Sequence, residues 1–195
     1  MQFKINGTIL KINFTFLISF LIFSLNNNLQ AYLLSVIASL LHEIVHVLFI
    51  ILYNDKITKI TLNIFGGKIE KANTKLLSNK KEVIINLSAP IFNILMGITT
   101  FCVDKNNQWG IVNLFIGIFN IIPFVNFDGG RGLYYFLMDI SNEKNAKKLL
   151  TITSIIVCFL FTSFSIIVFV KYYKNYFLLL MSIFMIISLF LFENL

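Results

Sequence analysis

Long runs of apolar residues constrain this chain more than any other feature of its sequence. The 195 residues are 57% hydrophobic and only 13% charged, and their mean hydropathy is +0.83. A soluble domain carries about 25% charged residues. An apolar run of about 20 residues can cross the hydrocarbon core of a bilayer as a helix. The sequence therefore predicts an integral membrane protein.

Six runs approach or exceed the length that a membrane-spanning helix needs. They cover residues 8–25, 29–53, 83–103, 110–127, 149–170 and 176–192. Between the second and third runs, ITKITLNIFGGKIE alternates apolar and polar residues around Gly66 and Gly67, which is typical of a β-hairpin. We expect an all-α polytopic membrane protein, a single domain over residues 1–195, with about six transmembrane helices and a small β-hairpin between the second and third.

The basic residues predict an orientation in the membrane. If both termini lie in the cytosol, thirteen of the 16 lysine and arginine residues fall on the cytosolic side, and Lys105, Lys171 and Lys174 fall on the other. Cytosolic loops are enriched in Lys and Arg, so we expect a multi-pass protein with cytosolic termini. The net charge of +7 is then explained by lysines that flank helices, and no nucleic-acid partner is predicted.

The second run contains the stretch HEIVH at 42–46, which holds the only two histidines of the chain. Ionisable groups inside a span are costly, and they usually mark function. Because His42 and His46 are four residues apart, they lie on one face of a helix and can bind one metal ion. Glu43 is offset by one position and can hold a water at that metal without being a ligand. Zinc accepts imidazole nitrogens and lowers the pKa of its bound water to about 7.

A catalytic zinc site usually has three protein ligands and one open position, so a third donor is needed. Neither cysteine lies in a metal-binding pattern, which leaves a carboxylate. Asp128 is the strongest candidate, because it follows a long apolar run. We expect Pro123, Gly129 and Gly130 to break the helix around it. In the predicted orientation, Asp128 and His46 both lie towards the cytosolic ends of their spans, so the site is nearer that face.

Two motifs together resemble a known family. HExxH inside a predicted span, followed much later by NIIPFVNFDGG at 120–130, resembles the site-2 proteases, which are intramembrane zinc metalloproteases. IFGGKIE and SAPIFN resemble further segments of the branch that contains the stage IV sporulation FB protease, and the resemblance covers residues 29–135. It implies one Zn2+ per chain held by His42, His46 and Asp128, Glu43 as general base and later acid, and Asn93 and Asn120 as substrate-positioning residues.

The resemblance implies a zinc metalloendopeptidase that hydrolyses a peptide bond within or near the transmembrane segment of a membrane-protein substrate. Such regulated intramembrane proteolysis suits several membrane-bound precursors, a sporulation sigma-factor precursor among them. The sporulation branch carries a C-terminal nucleotide-sensing domain and this sequence ends at Leu195, so we expect control by a membrane partner, substrate availability or membrane access. A strand of the hairpin could also pair with an extended peptide.

Two alternatives stay open on sequence grounds. The first is an ion or proton transporter that uses the same intramembrane His, Glu and Asp cluster. Such a relay needs ionisable groups that continue to the far side, and the outer halves of the predicted spans contain almost none. The second is a catalytically inactive binder of membrane proteins, against which the intact HEIVH and DGG motifs argue.

Overall fold

The structure is a computed structural model that describes residues 2–5, 8–12, 29–63, 66–71, 77–172 and 176–193. Within these residues the chain forms four strands and six helices. They are, in chain order, β1 (Gln2–Ile5), β2 (Thr8–Ile12), α1 (Leu29–Leu52), β3 (Ile57–Asn63), β4 (Gly66–Lys71), α2 (Asn79–Val103), α3 (Gln108–Ile121), α4 (Asp128–Ile140), α5 (Glu143–Tyr172) and α6 (Tyr176–Glu193). The chain groups into two compact units, Met1–Phe119 and Asn120–Leu195.

Three helices, α1, α2 and α5, are long and apolar enough to cross a membrane. On α1 the usual arrangement of a soluble helix is reversed. Ile44 and Leu48 are 50% and 52% exposed, whereas His42 and His46 are 4% and 7% exposed. Polar residues that face the protein interior while apolar residues face outward are typical of a helix surrounded by lipid. The predicted class, a mostly helical membrane protein, is confirmed.

Helices α2 and α3 of the first unit pack closely because glycines lie where they meet. A Cβ added to Gly117 would lie 2.8 Å from the carbonyl oxygen of Pro90, and one added to Gly97 would lie 2.7 Å from Leu114 Cδ2. Small residues let the backbones of membrane helices approach one another. The space that these glycines leave is filled by the side chains of Leu114 and Ile94 from the facing helix.

The first unit also contains a four-stranded sheet in the order β1-β2-β3-β4. The hairpin predicted between the second and third spans is confirmed as β3 and β4, which pair antiparallel with Asn63 opposite Gly66. The predicted start of the first span is wrong, because residues 8–12 form β2 and pair in parallel with β3. The stretch TILKI is rich in residues that favour strands and has a neighbouring strand to satisfy its backbone. Residues 13–25 of that predicted span lie outside the described residues.

The predicted span 110–127 is also shorter than expected. Helix α3 ends at Ile121, and residues 122–127 form a non-helical turn that leads into α4. Pro123 lacks a backbone donor and disfavours helical geometry in the residue before it, which accounts for the end of the helix. In the second unit the turn is anchored by a hydrogen bond of 3.1 Å from the Val125 amide to Ser154 Oγ on α5.

The prediction that Gly129 and Gly130 break the helix is wrong, because both lie in the first turn of α4. Instead, the two glycines let the preceding backbone pack closely against the start of α4. A Cβ on Gly129 would collide with the carbonyl oxygen of Ile121, and one on Gly130 would collide with that of Phe124. The turn therefore lies directly against the start of α4, and this contact fixes where the helix begins.

Gly130→Ala is expected to destabilise the protein by about 1–3 kcal/mol, because the added methyl group must displace the backbone of the turn. The sign of this change in stability is informative, since alanine in place of glycine ordinarily stabilises a helix by about 0.5–1 kcal/mol. Thermal unfolding in detergent measures the change. A higher melting temperature than that of the parent would contradict the close packing of this turn.

Candidate metal centre

Helix α1 carries both histidines on one buried face. The imidazole rings of His42 and His46 meet edge to face, with centroids 4.9 Å apart and an angle of 84° between the ring planes. The four-residue spacing produces this pairing, as the sequence predicted. Glu43 follows His42 and is half-buried. Both imidazoles thus lie side by side on the buried face of a helix whose outer face is apolar.

The Nδ1 atoms of both imidazole rings form hydrogen bonds with oxygen atoms of helix α2. The Nδ1 of His46 lies 2.9 Å from the carbonyl oxygen of Ile85, and the Nδ1 of His42 lies 2.7 Å from Oδ1 of Asn93. These oxygens only accept hydrogen bonds, so each Nδ1 carries the proton and each Nε2 carries the lone pair. Histidines that bind metals are commonly oriented by such bonds from the other ring nitrogen. The pair is therefore in the tautomer that binds a metal through Nε2.

Asp128 is the first residue of α4 and is buried. A carboxylate is favoured at this position by the positive end of the helix dipole. His42, His46 and Asp128 are all buried, and each offers one atom that can bind a metal ion. Two imidazole nitrogens and one carboxylate oxygen form a donor set that catalytic zinc sites use. The residues present therefore fit a zinc ion.

The two predicted substrate-positioning residues differ in what the structure shows of them. Asn93 is fully buried and makes its contacts with His42 and with Asn113. Asn120 is half-buried in the last turn of α3. A contact of either residue with substrate stays a prediction.

Asn113 was missed by the reasoning from sequence. It lies in the middle of the apolar helix α3 and is 0% exposed. The signal was present, because a carboxamide in an apolar helix is costly to bury without hydrogen-bond partners. Its position between Gly110 and Gly117 on one helix face also marks the side that packs against a neighbour.

Fold and donor set together define a helical membrane protein with a buried candidate metal centre. Comparison with solved structures finds the same fold in the Site-2 Protease from Methanocaldococcus jannaschii. The two chains are 24% identical, with a TM-score of 0.69, and the match covers 97% of this chain and 93% of the other. No protein-family model and no curated protein matches this sequence. The similarity extends over nearly the whole of both chains, and it establishes the fold.

Proposed function

We propose that this protein is an intramembrane zinc metalloprotease of the site-2 type, with one zinc ion per chain. Its reaction is hydrolysis of a peptide bond within or near the transmembrane segment of a membrane-protein substrate. The observation that carries the proposal is that three buried residues, His42, His46 and Asp128, each offer an atom that can bind a metal ion. The fold shared with a site-2 protease supports it. The same comparison does not favour the transporter alternative.

The proposed chemistry divides between the metal and the side chains. Zinc supplies a Lewis acid that polarises a carbonyl group and makes water acidic enough to ionise near neutral pH. Glu43 takes a proton from the water that adds to the carbonyl carbon of the scissile bond. The C–N bond then breaks as Glu43 returns that proton to the leaving nitrogen. Asn93 and Ile85 hold the tautomers of the two histidines throughout.

The substrate must reach the site in an extended form, because a transmembrane helix keeps its peptide bonds in internal hydrogen bonds. Strand β4 is suited to receive it. Among the described residues β4 is the last strand of the sheet, so its outer edge can pair with an added peptide strand. It contacts α1, and an ion pair of 2.6 Å between Lys71 and Glu82 joins it to α2. Strand β4 therefore lies beside the two helices that hold the histidine pair.

The proposal includes an orientation and a substrate class. We place both termini in the cytosol and the site nearer the cytosolic face, on the strength of the thirteen-to-three distribution of basic residues. The substrate is then cut towards the cytosolic end of its span. A sporulation sigma-factor precursor is one such substrate, and this part of the proposal rests on sequence resemblance alone.

Removal of the metal tests the proposed function. The purified protein is expected to hold about one zinc per chain and to cut at least one member of a panel of single-span substrates. Ortho-phenanthroline is expected to abolish cleavage, and added zinc is expected to restore it. Metal analysis and gel electrophoresis of the substrates measure the two quantities.

Meta-phenanthroline is the matched control, because it has the same size and polarity but does not chelate zinc. Cleavage that continues after the zinc has been removed would contradict a metalloprotease. Proton or metal flux across liposomes, without cleavage of any substrate, would favour the transporter.

A further inference from the structure

A series of buried hydrogen bonds runs from His42 to the backbone of α3. His42 Nδ1 lies 2.7 Å from Asn93 Oδ1, and Asn93 Nδ2 donates to Asn113 Oδ1 at 2.8 Å. Asn113 Nδ2 in turn donates to the carbonyl oxygen of Trp109 at 2.9 Å. Both asparagines are completely buried. We refer to His42, Asn93, Asn113 and the Trp109 carbonyl as the amide chain.

The direction of each hydrogen bond in the amide chain follows from its last member. The Trp109 carbonyl can only accept, so Asn113 must present its Nδ2 there and its Oδ1 to Asn93. Asn93 must then donate with its own Nδ2, which turns its Oδ1 towards His42. His42 must therefore carry its proton on Nδ1, and the lone pair that can bind a metal is on Nε2. A backbone carbonyl of α3 thus determines the tautomer of a histidine on α1.

We infer that Asn113 is a positioning residue, which fixes the tautomer and the ring orientation of His42 through Asn93. The inference rests on the proposed function, because binding of zinc is what the tautomer would serve. Asn113 itself contacts neither His42 nor, in this inference, the metal. Outer partners of metal-binding histidines contribute about 10- to 100-fold to metal affinity.

The loss of Asn113 acts on His42 by a definite physical route. Asn93 Nδ2 would be left without its acceptor in an apolar helix interface, where an unsatisfied polar group is costly. Rotation of the Asn93 carboxamide by half a turn would present Nδ2 to His42 instead. His42 Nδ1 would then accept, its proton would move to Nε2, and that nitrogen could no longer bind zinc.

The tautomer itself can be measured in the metal-free protein. Because the chain contains only two histidines, nitrogen-15 labelling of their rings gives two sets of signals, which a His46→Gln variant assigns. In the parent we expect His42 to be protonated on Nδ1. In Asn113→Leu, which matches asparagine in size, we expect a shift of population towards the form that is protonated on Nε2.

Asn86→Leu is the matched control. Asn86 is also a buried asparagine on α2, but it donates to the carbonyl oxygen of Glu82 within its own helix. Its replacement is expected to leave the signals of His42 as they are in the parent. A shift of equal size in Asn86→Leu would show a general loss of packing and would overturn the inference.

Zinc affinity, measured by competition with a chelating dye, provides the second readout. Asn113→Leu and Asn93→Leu are each expected to weaken zinc binding by about 10-fold or more. The double variant should bind no more weakly than Asn93→Leu alone, because Asn113 acts through Asn93. Asn113→Asp should retain the parent affinity, since a protonated carboxyl group can still accept from Asn93 and donate to Trp109.

The outcomes separate this inference from the proposed protease. Parent-like signals of His42 and parent-like zinc affinity in Asn113→Leu would overturn the inference and leave the protease intact. A tautomer shift in Asn113→Leu, in a protein whose parent binds no zinc, would support the amide chain and count against the protease. Asn113→Ala removes the same carboxamide without adding volume, so the inference stays testable if Asn113→Leu does not fold.

Discussion

Glu43→Gln is expected to lower the rate of substrate cleavage by about 100- to 10,000-fold, which is the contribution that a general acid–base group makes. Glutamine has nearly the size of glutamate but cannot accept the proton of the attacking water. Glu43 is not one of the proposed ligands, so the variant should still hold zinc at the parent stoichiometry. Initial rates on the best substrate of the panel, with metal analysis of the same preparation, give both quantities.

Glu143→Gln provides the control for the loss of a carboxylate. Glu143 lies exposed at the start of α5, where it forms a long ion pair with Lys147. Its replacement should leave both the rate and the zinc content at the parent values. If Glu43→Gln cleaves substrate as fast as the parent, Glu43 is not the base and the proposed mechanism is wrong.

Asp128→Asn is expected to weaken zinc binding by more than the factor of about 10 to 100 that outer partners of a metal contribute, because it removes a charged ligand atom itself. Asparagine keeps the size of the side chain at the start of α4, so the turn before it should be preserved. Cleavage should fall together with zinc content. Chelator competition and the cleavage rate measure the two effects.

Asp139→Asn is the matched control, since Asp139 is an exposed aspartate near the other end of the same helix. It should bind zinc as the parent does. Retention of parent zinc affinity in Asp128→Asn would remove this carboxylate from the centre and would leave the two histidines in need of another partner.

The sequence predicted best the features that depend on local spacing. The HEIVH stretch gives two histidines on one face of α1, because the helical repeat alone decides which residues share a face. The alternation of apolar and polar residues likewise predicted the hairpin of β3 and β4, but Gly66 and Gly67, which were expected to form its turn, are paired residues of β4. These features needed no knowledge of what packs against them.

The features that failed depend on contacts between distant segments. Residues 8–12 were assigned to a helix, because an apolar run by itself does not distinguish a helix from a buried strand; pairing with β3 decides in favour of a strand. Gly129 and Gly130 were taken as helix breakers, whereas their role depends on the carbonyl oxygens of Ile121, at the end of α3, and of Phe124 in the turn. Asn113 could not be connected to His42 before Asn93 was seen to lie between them.

The contact between the turn at 122–127 and the start of α4 has a consequence for the divergence of this fold. Gly129 and Gly130 each touch a backbone carbonyl that no side-chain rearrangement can move out of the way. A related sequence with any larger residue at either place must therefore have rebuilt the preceding loop as well. A distant relative that keeps both glycines is therefore expected to keep the same backbone path before the aspartate.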